Sequence, residues 1–239
     1  MSPQQDADIP ADPRLDRKRG ERAEHVASWY FRLNGFLSIP GFVVHPDVVQ
    51  RYPRTEADLL AVRLPYSSEL VGGQLMVDDA RLVALAALSR PLFLMIEVKT
   101  NLCNINGPWS RAEDGNMQRV IRRLGFATEA EIEAVAADMY QHLRCERESF
   151  VVQYATIGRR ANPGQQRRYP SLLQVTWDDI SDFLFQRFQQ FPQKLPPKGR
   201  KVHEQWPDFG RFYGRQFSRL ESQVRSRAVV WNYIEHGRA

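Results

Sequence analysis

The residues with the clearest chemical potential are Glu97 and Lys99, which close an otherwise apolar run from Leu92 to Lys99 (LFLMIEVK). Two residues apart on a strand, their side chains leave the same face. Charged groups at the end of such a run are costly to bury without a partner or a metal. Asp58 lies at the start of a second run, Ala57 to Leu64 (ADLLAVRL), 39 residues before Glu97, and joins the pair if the two runs are neighbouring strands of one sheet. Two carboxylates at one strand end make a hard-oxygen site for Mg²⁺ or Mn²⁺, and a lysine beside them can orient or deprotonate a water and stabilise charge on a phosphate. That chemistry is hydrolysis directed at a phosphate ester.

Positioning these groups is the task of the surrounding elements. Ala23, Val26, Ala27, Tyr30 and Phe31 recur at helical spacing between about Glu21 and Asn34, with Gly35 as a stop. A short strand is expected near Phe42 to His45 and another at Ala57 to Leu64, while the apolar run Leu82 to Leu88 is readable as either type. Leu92 to Lys99 reads as a central strand covered on both faces. Helices come next at Gly115 to Leu124 and Thr128 to Arg144, the second opened by Thr128 as N-cap with Glu131 three residues on. Strands resume at Phe150 to Ile157 and Leu172 to Trp177, and Asp178 begins a helix through about Phe191. The order describes an α/β sandwich with a mixed central sheet. Boundaries are expected after a polar arm, 1–19, and at a proline-marked linker after residue 191, leaving a main domain over 20–191 and an α-rich extension over 192–239.

The run Glu24, Asn34-Gly35-Phe36, Glu56-Ala57-Asp58 and Ile96-Glu97-Val98-Lys99 resembles the PD-(D/E)XK nuclease superfamily of restriction-endonuclease-like proteins. The resemblance covers roughly Gly20 to Lys99. It implies an αβββαβ core in which Asp58 and Glu97 bind a metal, the Val98 carbonyl adds a ligand, and Lys99 assists the attacking water. A glutamate of the first helix often joins such sites. Glu24 fits that role better than Glu21, because it lies at the edge of the buried stripe, and it precedes Gly35 by 11 residues, a spacing similar to that of Holliday-junction-resolvase-like members. The family's proline before the first aspartate is here Ala57, as in many members that lack it. The resemblance implies a metal-dependent nuclease acting on DNA, with RNA also open. A non-catalytic nucleic-acid-binding or assembly protein of the same fold is the alternative.

Further residues have two readings each. Asn104, Asn106 and Trp109, just after the catalytic strand, line the cleft or serve packing. Arg159, Arg160, Arg167 and Arg168 hold a nucleic-acid backbone or decorate a solvated loop. In the tail, Trp206, Phe209, Phe212, Tyr213 and Phe217 interleave with Arg211, Arg215 and Arg219, which suits either a single strand or an amphipathic helix docked on the core. Gly72-Gly73 reads as a turn, and the five histidines share no spacing that builds a zinc site.

Bulk composition agrees with a polyanionic partner. The net charge is +5, and Lys194 to Ala239 alone has ten Lys or Arg against four acids, +6, leaving −1 for the rest. Two cysteines, Cys103 and Cys145, do not make a disulfide framework. Without an apolar N-terminal core or a run of about 18 apolar residues, the expectation is a cytoplasmic protein without membrane contact. Any targeting would come from a homodimer or a protein partner.

Overall fold

The computed structural model describes residues 13–45, 55–85, 89–191, 216, 217, 220 and 222–237. The chain is α/β, with helices packed against a mixed central sheet. Helix α1 (Pro13–Leu33) leads into β1 (Leu37–Val44) and β2 (Thr55–Arg63), then a hairpin of β3 (Leu70–Val71) and β4 (Gln74–Leu75), and α2 (Ala80–Leu85). The central strand β5 (Leu92–Val98) is followed by α3 (Asn116–Leu124), α4 (Ile132–His142), β6 (Arg144–Glu146) and β7 (Val151–Gly158). The described chain closes with α5 (Pro163–Arg168), β8 (Leu173–Thr176), α6 (Trp177–Gln190) and α7 (Gln223–His236).

In the sheet the order is β1-β2-β5-β7, with β6 and β8 sharing the far edge of β7. β1, β2 and β5 pair antiparallel, β7 lies parallel to β5, and β8 lies parallel to β7. The parallel pair explains the apolar character of β5. Leu92, Leu94, Ile96 and Val98 face a core shared with α1, α6 and α7, whereas Met95 faces a second core built with α3 and α4. A strand covered on both faces has no solvated side on which to alternate.

Gly35 ends α1 as its type suggests: its φ is +77°, and the Phe36 N–H bonds the Phe31 carbonyl at 3.1 Å, closing the helix in a left-handed cap. Gly72 and Gly73, at φ +60° and +82°, make the β3–β4 turn, where both central residues need positive φ. Thr176 and Asp179 form a capping box at the start of α6.

Several expectations are corrected. α1 begins at Pro13, not near Glu21, so the polar arm is partly helical. Its first turns are exposed and have no apolar stripe to read, but Arg19 pairs with Glu235 and Arg22 donates to the Ile234 and Glu235 carbonyls at the end of α7. β1 starts at Leu37, earlier than Phe42, because edge pairing with β2 tolerates Pro40. Leu82 is helical, within α2. Thr128 bonds Glu131 through its N–H and hydroxyl, yet α4 starts at Ile132. Arg144 belongs to β6, because the buried Leu143 takes φ +56° and stops the helix. The loop between β7 and β8 contains α5, capped by Asn162.

The C-terminal helix α7 shares the α1–α6 core through Val230 and Ile234, and Phe217 stacks on Phe188 with centroids 5.6 Å apart. For Phe217 the docking reading holds. Trp206, Phe209, Arg211, Phe212, Tyr213, Arg215, Arg219 and the proline linker after Phe191 lie outside the described residues. Among the described residues no helix is long and apolar enough to cross a membrane.

Candidate active site

Asp58, Glu97 and Lys99 meet where β2 parts from β5. The β2–β5 ladder runs from Arg63↔Leu92 to Leu59↔Ile96 and stops, while β2 continues along β1 as far as Val44↔Thr55. The next pair in that register would set Asp58 opposite Glu97. Instead, Asp58 Oδ2 accepts the Val98 N–H at 2.6 Å, so a side chain replaces a ladder bond. The Val98 carbonyl leaves the same edge of β5 as its N–H. On the other side of Asp58, Gly41 stands between the pairs Pro40↔Leu59 and Phe42↔Ala57 without pairing itself, at φ +60°. The sheet is thus distorted on both sides of one aspartate.

Glu97 is fully buried, with 0% exposure. Its Oε1 accepts from Lys99 Nζ and from Asn106 Nδ2, and its Oε2 accepts from the Tyr154 hydroxyl at 3.1 Å. Lys99 is fixed through its backbone: its N–H bonds the Ile157 carbonyl at 2.8 Å, and its carbonyl accepts the Trp177 indole N–H at 3.1 Å. Its side chain keeps 28% exposure, so the ammonium spans from the buried carboxylate to the mouth of the fork.

Burial first, and Asp58 second, push the Glu97 carboxyl up to about 7 against the pull of Lys99 and Tyr154. Asp58 is raised by burial, opposed by the Val98 N–H and Lys99. Glu24, half-buried on α1, is also pushed up to about 7, by burial and then by Asp58, Glu56 and Glu21, with Lys99 opposing. Glu24 and Glu97 are therefore both coupled to Asp58, the arrangement expected of a site at which negative charge is concentrated.

Of the residues singled out in the sequence, the fold gathers Asp58, Glu97, Val98, Lys99 and Asn106, with Glu24 in electrostatic reach. Asn104 is adjacent but bonded to Asn162. Trp109 does not line the cleft: it is 1% exposed and packs in the α3–α4 core, 6.5 Å from the Tyr154 ring. The four arginines are exposed and have separate surroundings. Arg159 covers the Trp231 ring at 4.2 Å and Arg168 the Tyr169 ring at 5.2 Å, Arg160 forms the bridge to Leu102 through its backbone, and Arg167 lies on α5. Tyr154 and Trp177 were missed by sequence reasoning. Tyr154 lies opposite Met95 in the β5–β7 register, on the Glu97 face, and within the run Val151–Gly158, which also carries Gln153 and Thr156, nothing in the sequence singled it out.

Asp58, Glu97 and the Val98 carbonyl offer oxygen donors of the kind Mg²⁺ or Mn²⁺ takes, and a divalent ion would offset the burial, and secondarily the repulsion, that raise these carboxyls. Among the described residues, no group of three His, Cys, Asp or Glu side chains converges as a closed cage. Two carboxylates suffice for Mg²⁺, which keeps waters and adds substrate phosphate oxygens. The donor set fits the ion. No protein-family model, curated protein or solved structure matches the chain.

Proposed function

We propose that this protein is a metal-dependent nuclease of the PD-(D/E)XK type, with a restriction-endonuclease-like fold, hydrolysing DNA phosphodiester bonds. The observation that carries the reading is the fork. Asp58, inside β2 where its ladder with β5 breaks, faces the Glu97–Lys99 pair at the end of β5, with Glu24 coupled to Asp58 from α1. The bound ion would supply Lewis acidity and an activated water. The chain's own residues do the rest: Asp58 and Glu97 hold negative charge where the β2–β5 ladder breaks, Tyr154 and Asn106 fix the Glu97 carboxylate, and Lys99 holds a cation beside the position of a phosphate oxygen or the attacking water. Trp177 holds the Lys99 backbone in that position.

A second reading has one observation in its favour. Both Glu97 oxygens already accept protein donors, as in a satisfied structural ion pair, which suits a nucleic-acid-binding or assembly protein that retains the fold. Cleavage of supercoiled, linear and single-stranded DNA with Mg²⁺, Mn²⁺ or EDTA decides between them. Under the nuclease reading, cutting requires metal, and Lys99→Ala and Asp58→Asn each lower it by at least about 100-fold with unchanged circular dichroism. Metal-independent cutting, or cutting that survives both substitutions, refutes the site. No cutting by the wild type with DNA binding retained selects the second reading.

A further inference from the structure

One strand away from Asp58, the C-terminal half of β1 and helix α3 enclose an open cavity of about 520 Å³, lined by residues 41–45, Arg119 and Arg123. Its first residue, Gly41, is the one left opposite Asp58 by the β1–β2 register. The wall is largely apolar, with Val43 and the partly buried Phe42. Arg119 and Arg123 project from α3 one turn apart. Arg119 is tethered to the Asp114 carbonyl at 2.6 Å. The neighbouring Arg122 pairs with Glu129, whereas Arg123 is exposed and makes no hydrogen bond or ion pair among the described residues.

We infer that this cavity seats one unstacked nucleotide of a single-stranded or locally melted nucleic acid, its base against the β1 wall and its phosphate on Arg123. The inference deepens the nuclease reading and rests on it for the role of the bound strand. An apolar concavity beside the Arg123 guanidinium, which has no partner among the described residues, matches a base and a phosphate together. A duplex offers its phosphates but keeps its bases stacked, and would need only a flat basic surface. Glu56 stands beside Gly41, its Oε1 3.1 Å from where a Gly41 Cβ would stand.

The test is fluorescence anisotropy of the full-length protein in EDTA, using labelled single strands, their duplexes and strands with abasic positions. Arg123→Glu, at an exposed position, is checked for folding by circular dichroism. The expected results are tighter binding of single strand than of duplex, about tenfold weaker binding with abasic strands, and about tenfold weaker binding by Arg123→Glu with a shallower salt dependence. Equal binding of intact and abasic strands, preference for duplex, or an Arg123→Glu variant that binds as the wild type does would overturn the cavity assignment, as would no binding at all. Cleavage with Mg²⁺, assayed on the same preparations, separates the two claims. Arg123-dependent binding without cutting keeps the cavity and removes the nuclease, while cutting with binding indifferent to Arg123 does the reverse.

Discussion

Replacing Glu97 by glutamine preserves the shape of the side chain and removes its charge, which makes it a direct probe of how that charge is held. The Glu97 carboxyl is raised from 4.5 to about 7, mainly by burial. A carboxyl raised on folding binds more protons in the folded than in the unfolded state. Its stabilising contribution is therefore complete below about 4.5 and is lost as pH rises through about 7. At about 1.4 kcal/mol per unit, the shift is worth roughly 3 kcal/mol, or roughly 6–12 °C in melting temperature for a domain of this size. Glu24, raised in the same direction, contributes a similar slope to wild type and variant alike, so the difference between them isolates Glu97. The assay is thermal denaturation in EDTA between pH 4.5 and 8. The wild type should lose stability relative to Glu97→Gln as pH rises, and Mg²⁺ at pH 8 should restore the wild type selectively. Parallel pH profiles, or a variant that is less stable than the wild type at pH 8, would mean that Lys99, Asn106 and Tyr154 fully offset the burial of the charge and that no cation is needed there.

Two structural substitutions test how the site is held. At Gly158, an added Cβ would stand 2.7 Å from the Cys103 backbone nitrogen and 3.0 Å from the Asn101 carbonyl oxygen, so Gly158→Ala must displace the loop that delivers Asn106 to Glu97. A loss of about 1–3 kcal/mol in urea unfolding is expected, together with slower cleavage; wild-type stability would show that the strand end yields freely. Arg187, 0% exposed, bonds Glu69 and Asp78 at 2.8 and 2.6 Å and ties the segment around the β3–β4 hairpin to α6. Arg187→Met should destabilise by about 3–5 kcal/mol, read by the same unfolding, and a near-neutral result would show that the two acids find solvent once released.

The candidate grouping was legible because it depends on local rules. Period-2 alternation puts Glu97 and Lys99 on one face of β5, the continuous apolar run marks β5 as central, and adjacency of consecutive strands brings Asp58 alongside. Gly35 and the Gly72-Gly73 turn were legible for a similar reason, since a positive φ is a demand that a residue type answers by itself. Elements whose sequence is polar were not. The first turns of α1 have no buried stripe and are held by pairing with α7, about 200 residues away, and β6 and α5 are too short to establish a period.

By itself, then, the sequence determined the element types with strong periods and the identity of the charged set at the end of β5. Only the tertiary structure decided the partners of that set: the β2–β5 ladder breaking at Asp58, Tyr154 reaching Glu97 across a parallel register, Trp177 holding the Lys99 carbonyl, and Trp109 turned into the core. The physical reason is that backbone period and side-chain chemistry are properties of neighbouring residues, whereas register, burial and the raised carboxyls arise from packing between segments far apart in the chain.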